Sequence, residues 1–305
     1  MHFEDVAIPS NHVPGPIPAT IAYPPGYDTN RAEPYPLLIQ LHGGGQSNVW
    51  LRDVAPYLET AMARGQIPPM VSVMPSAGRS FYMNFRDGSA NWEDFLLNEL
   101  LPWMHSNTHI ATDRTGTFVS GISMGGMGAL RLAFKHPDRF AAVAVLEAAI
   151  EPALAFHDIK QRDRYWRSDA LFEEIYGKPV DTDWWAANNP ATIAATEPGR
   201  LTGLEIYFEA GDHDLFFLHH GAEFLHRILY DAGVAHEYRL VRGADHLGPS
   251  LEPRFIDAFG FLGRVASPPD WANAEVAMVR QMMDSVKLQA GYPANPVDPA
   301  RPRQR

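Results

Sequence analysis

The feature that most constrains this chain is an alternation of short apolar runs with longer stretches of helical period. The runs are Leu37–Leu41, Met70–Met74, Thr117–Val119, Ala142–Leu146, Leu204–Phe208 and Glu237–Val241. Gly, Pro and Asp punctuate them, as they do buried strands. Helix-period segments fall between, at 52–64, 91–106, 124–136, 216–232 and 251–264. In the second of these, Phe95, Leu96, Leu100 and Trp103 share one face. Strands that alternate with helices pair in parallel, because each crossover needs a helix's length of chain. The sequence therefore predicts an α/β fold, a mostly parallel central sheet with helices on both faces.

Three stretches stand outside this alternation. The first 36 residues are proline-rich (VPGPIPATIAYPPGY, then EPYP) and read as extended strands and turns, since proline fixes φ and opposes helix. Residues 148–200 carry Trp166, Trp184 and Trp185 among many charges with no clear strand, and read as a cap-like insertion over the carboxyl end of the sheet. The main domain is expected to end near residue 265. Beyond it, residues 266–305 read as a helical extension and a tail. A helix at 271–289 (Trp271, Val276, Val279, Met282, Met283, Val286) is expected to pack on its own domain, with a homo-oligomer contact as the alternative. The last dozen residues read as disordered.

Composition removes several function classes. With 25 basic and 36 acidic residues the formal charge is −11, which disfavours nucleic acid or an anionic membrane as partner. The absence of cysteine excludes a disulfide framework, a thiolate metal site and a cysteine nucleophile. MHFEDVAIPS has no basic or apolar leader pattern, and no apolar stretch approaches the 18 or so residues of a membrane span. The expectation is a cytoplasmic globular protein.

The chemistry is concentrated in three places. Gly121-Ile122-Ser123-Met124-Gly125 lies between a predicted strand and a predicted helix. G-x-S-x-G is a weak pattern alone, but in that context it reads as a nucleophile elbow. The helix behind Ser123 turns its first amides toward developing negative charge. His42-Gly43-Gly44-Gly45, at the end of the first strong strand, reads as an oxyanion loop, with Gly44, Gly45 and Met124 as amide donors. His42 itself reads as a structural hydrogen-bonder. A serine hydroxyl needs a base, and His246, in Gly243-Ala244-Asp245-His246 after the last strand, stands where the chain order serine, acid, histidine requires it. The acid comes from Glu209-Ala210-Gly211-Asp212-His213-Asp214. Asp214 is favoured over Asp212 because G-x-x-D turns the carboxylate back toward the sheet. Asp245 would face the wrong way, and Glu147, at the end of the run 142–146, is a substitute acid. Trp50, Phe81, Tyr82 and Phe85 are candidates for the substrate pocket, Trp50 and Tyr82 foremost. His219, Glu223 and His226 share a helix face, which reads as a polar stripe and not as a metal site.

LHGGG at 41–45, GRSFY at 78–82, NWEDFLLNELLPWM at 91–104, GISMGGMGAL at 121–130, Asn189-Pro190, EAGDHD at 209–214 and GADH at 243–246 together resemble the putative-esterase group of the α/β-hydrolases. That group contains esterase D, feruloyl esterases and mycolyltransferases. The resemblance spans residues 5–265. It implies an α/β-hydrolase fold and hydrolysis of a small-molecule carboxylic ester by Ser123, Asp214 and His246, without metal or cofactor. An acyltransferase on the same residues, or a non-catalytic binding protein on the scaffold, are the alternatives.

Overall fold

The computed structural model describes residues 1–269 and 274–292. Trp271 and the tail after 292 lie outside the described residues. The elements run β1 (His2–Ile8), β2 (Ile17–Tyr23), β3 (Leu37–Leu41), α1 (Leu51–Ala63), β4 (Val71–Pro75), α2 (Trp92–Phe95), α3 (Leu101–Asn107), β5 (Thr117–Ile122), α4 (Met124–Lys135) and β6 (Ala142–Leu146). They continue with α5 (Asp169–Tyr176), α6 (Thr182–Asn188), α7 (Pro190–Thr196), β7 (Glu205–Gly211), α8 (Leu218–Asp231), β8 (Glu237–Val241), α9 (Leu251–Ala266) and α10 (Ala274–Gln289). A π-helical turn over Leu96–Leu100 joins α2 to α3.

The eight strands form one sheet in the order β1-β2-β4-β3-β5-β6-β7-β8. β1 and β2 pair antiparallel, as do β2 and β4; from β4 through β8 every pair is parallel. This is the α/β-hydrolase arrangement. The proline-rich start makes the two antiparallel strands, and each apolar run makes a strand of the parallel part.

Side chains of successive strand residues point to opposite faces, so the interior parallel strands β3 to β6 are buried at every position, while the edge strand β8 keeps Glu237 and Arg239. In β6, Val143 and Val145 join the larger core, while Ala142, Ala144 and Leu146 join the core on the other face. α1 and α9 cover that second face with Val54, Leu58, Phe255, Phe259 and Leu262. The segment 148–200 supplies α5, α6 and α7 and no strand.

Residues Met1–Ala266 form one compact unit, and Ser267–Arg305 a second. In the second, no described residue of α10 is buried, and Met278, Val279, Met282, Met283 and Val286 are exposed. Among the described residues no helix is long and apolar enough to cross a membrane.

Candidate active site

Ser123 sits between β5 and α4 with φ +56°, a left-handed conformation that side chains rarely adopt. The residues two positions before and after it are glycine for steric reasons. A Cβ on Gly121 would lie 2.4 Å from the Gly125 carbonyl oxygen, and one on Gly125 would lie 2.2 Å from that of Leu41. The strand can therefore turn straight into the helix, with the helix pressed on the end of β3. The Ser123 amide donates to Leu146 O (3.0 Å) and the Ala149 amide to Ser123 O (3.1 Å), which fixes the turn to the end of β6.

The loop after β3 is held from beneath by two rings. The His42 ring donates from Nδ1 to Gly43 O (2.8 Å) and accepts from the Ala77 amide at Nε2 (3.0 Å). Burial lowers its pKa, so the ring is neutral and acts as a strut. Tyr82 Oη accepts from the His42 amide (2.8 Å) and donates to His42 O (3.2 Å). Tyr82 is fully buried there, packed on α4, where a Cβ on Gly128 would meet its ring at 2.8 Å. The expected pocket residue Tyr82 is thus a support of the loop, because its hydroxyl finds its partners in the backbone below. Phe85 likewise packs against the core.

Gly43 donates to Gln46 Oε1 (2.9 Å), and the tight turn through Gly44 and Gly45 places Gly45 at φ +84°. Among the described residues no group accepts from the Gly44 or Gly45 amide. Gly44, Gly45, Ser123, Met124 and His246 all line one cavity of about 550 Å³.

Asp214 follows β7 after a turn in which its amide donates to Gly211 O (3.2 Å). Its Oδ1 accepts from the amides of Phe216 (2.7 Å) and Leu218 (3.1 Å), and its Oδ2 accepts from His246 Nδ1 (2.7 Å). Burial opposes ionisation of Asp214, but the hydrogen bond and charge of His246 together with the amides hold its carboxyl below the usual range. Asp212 instead accepts from the Gly243 amide (2.6 Å), and Asp245 accepts from Leu215 (3.2 Å) and from the His246 amide (2.6 Å). Those two aspartates tie the loops after β7 and β8 together, so the structure brings Asp214, not Asp212, to the imidazole. With Nδ1 committed to Asp214, Nε2 is the ring nitrogen left for the cavity.

The putative-esterase family model matches residues 10–251. The chain belongs to the putative esterase family. It is 33% identical over 287 residues to Esterase Rv1288 of Mycobacterium tuberculosis, which covers 84% of this chain but only 58% of that relative's length. It is 32% identical over 178 residues to the diacylglycerol acyltransferase/mycolyltransferase Ag85B of Mycobacterium leprae, covering 53% of this chain and 52% of the relative. The fold is similar to that of a ferulic acid esterase, with TM-score 0.70 and 22% identity over 87% of this chain and 98% of the other.

The cavity wall is largely apolar: Trp50, Phe81, Ile122, Trp166, Phe216 and Leu247 contribute. Trp50, a pocket candidate from the sequence, is among the lining residues, and Trp166 comes from the segment 148–200. Phe216 stands edge-on to the His246 ring at 4.8 Å. Sequence reasoning missed Arg254, which reaches from α9 to the carboxylates of Glu147 and Glu209 and to Asp245 O (3.1 Å) beneath the His246 loop. Its signal was a cation in an otherwise apolar helix stripe. His219, Glu223 and His226 do not gather: Glu223 accepts from Tyr238 Oη (2.6 Å), and His226 contacts His236 (2.9 Å).

Proposed function

We propose that this protein is a serine hydrolase of carboxylic esters that works through an acyl-enzyme. The observation that carries this reading is the buried 2.7 Å contact of His246 Nδ1 with Asp214 Oδ2 at the cavity that Ser123 enters from its elbow.

Asp214 accepts from Nδ1–H and so fixes the tautomer that leaves a lone pair on Nε2. His246 takes the Ser123 hydroxyl proton as the serine oxygen bonds to the ester carbonyl carbon. The carbonyl oxygen becomes an oxyanion facing the amides of Gly44 or Gly45 and of Met124. The imidazolium returns its proton to the leaving alcohol oxygen as the ester C–O bond breaks. Water, deprotonated by the same nitrogen, then releases the acid. The apolar wall suits an uncharged acyl chain or ring, with Trp50 against the substrate. The esterase names carried by Rv1288 and the ferulic acid esterase support the reading.

The test is a rate profile over p-nitrophenyl esters of rising acyl length, with Ser123→Ala as the blank and fluorophosphonate labelling in parallel. Ser123→Ala is expected to lose both hydrolysis above background and labelling. Wild-type turnover or labelling in that variant overturns the proposal. The similarity to a protein named as an acyltransferase supports a second reading, transfer of the acyl group to an alcohol. Product analysis with added alcohol separates the two: ester product marks transfer, free acid alone marks hydrolysis.

A further inference from the structure

Glu147 follows β6 directly, where φ +47° turns the chain out of the sheet and leaves the side chain inside. Its Oε1 accepts from the Gly211 amide (2.8 Å) and from the Arg254 guanidinium. Its Oε2 is buried and meets no donor among the described residues. A carboxyl oxygen of Glu147, a carboxylate oxygen of Asp214 and a ring nitrogen of His246 lie within 4.8 Å of one another. A buried acceptor without a donor is costly, and two carboxylates that close resist being ionised together. One proton resolves both conflicts: on Glu147 Oε2, it turns an orphaned acceptor into a donor aimed at Asp214.

We propose that Glu147 is a positioning residue that holds a proton and donates it as a hydrogen bond to Asp214, extending the serine–histidine–aspartate set by a fourth, neutral carboxyl. This inference rests on the serine-hydrolase reading. Asp214 is then steadied by the amides of Phe216 and Leu218 on one oxygen and by His246 with Glu147 around the other. Arg254 pairs with both glutamates, so it is Tyr207 that separates them and leaves the proton on Glu147 and not on Glu209. Arg254 binds Glu209 Oε1 at 2.6 Å, and Tyr207 Oη donates to Glu209 Oε2, so both oxygens of Glu209 already have donors. The groups that face Glu147 are Arg254 from α9, Asp214 and Glu209 from β7 and its loop, His246, and Tyr238 from β8. Burial pushes the Glu147 carboxyl up to about 8, with Asp214 reinforcing the rise and Arg254 opposing it.

Glutamine reproduces the protonated form and not the ionised one, since its Oε1 accepts from Gly211 and Arg254 while its Nε2–H donates to Asp214. The first test uses histidine-labelled NMR on the full chain carrying Ser123→Ala, with His246→Gln to assign the ring. The His246 signals are expected to show an additional alkaline inflection when Glu147 is present and none in Glu147→Gln. Superimposable titrations overturn the proposal. The second test compares kcat at pH 7: Glu147→Ala is expected to fall about tenfold at little changed KM, while Glu147→Gln recovers most of that loss. Equal losses in the two variants also overturn it. A chain that hydrolyses no ester yet shows the predicted titration difference removes the hydrolase reading and supports the proton placement.

Discussion

Two aspartates, two positions apart, have been sorted by what their side chains touch. Asp214 accepts from His246 Nδ1, whereas Asp212 accepts from the Gly243 amide and stitches two loops. Asp214→Asn is expected to lower kcat by about 10⁴-fold, the scale seen when a serine triad loses its acid and the histidine takes the wrong tautomer. Asp212→Asn is expected to stay within about tenfold, because the asparagine Oδ1 can still accept from the Gly243 amide at this exposed loop. Steady-state kinetics on one ester decides this, and reversed magnitudes would make Asp212 the acid. At this scale the sequence was legible where a residue's identity is forced by geometry. Gly121 and Gly125 are required by contacts that a Cβ would violate, so the pattern around Ser123 carries structural information. Tyr82 was misplaced because neighbourhood in sequence to a pocket residue, Phe81, does not tell which of two adjacent rings turns inward. Glu147 was visible only as a rival acid, since nothing in a linear pattern reveals a buried oxygen without a donor.

Among the elements, the segment 148–200 was the least readable. Its charges look like a solvated surface, yet Arg167 and Glu151 are fully buried and paired. The Arg167 guanidinium also lies 4.0 Å from the Phe81 ring centre and 4.6 Å from that of Trp166, two rings that line the cavity. One ion pair thus supports the pocket wall from behind. Arg167→Ala leaves Glu151 buried without its partner and is expected to destabilise the fold by about 3–5 kcal/mol in urea unfolding. Arg167→Met with Glu151→Leu should recover most of that stability. The acyl-length profile should remain altered in the double variant, because the rings have lost the cation they stack on. An unchanged profile would detach the pair from substrate choice. The strands and the helices around them were readable because apolar period survives in a single sequence; ion pairs across 16 residues of loop leave no such trace.

For the molecule as a whole, its buried carboxyls pull stability in opposite directions with pH. Burial raises the cost of ionising Glu93, but the charge of Arg131, the hydrogen bond from His136 and the charge of Lys135 overcome it and hold its carboxyl far below the usual range. That stabilisation is present above the unfolded carboxyl pKa of about 4.3 and is lost as pH falls below it. Glu147 has the opposite sign. Its folded carboxyl is raised to about 8, so the neutral form favours the fold. The stability it contributes is complete below the unfolded pKa and drains away between about 4.3 and 8, as the unfolded chain ionises and the folded one does not. Over that window the loss is on the order of 5 kcal/mol. Glu147→Gln cannot ionise, so its unfolding free energy should match that of the wild type near pH 4 and exceed it by most of that amount near pH 9. Urea unfolding at the two pH values measures this directly, and a difference independent of pH would mean that Glu147 is already ionised in the folded protein. Keeping a glutamate at a site that disfavours its charge then makes sense only through what the proton does there: it lets Asp214 remain the single negative charge beside His246.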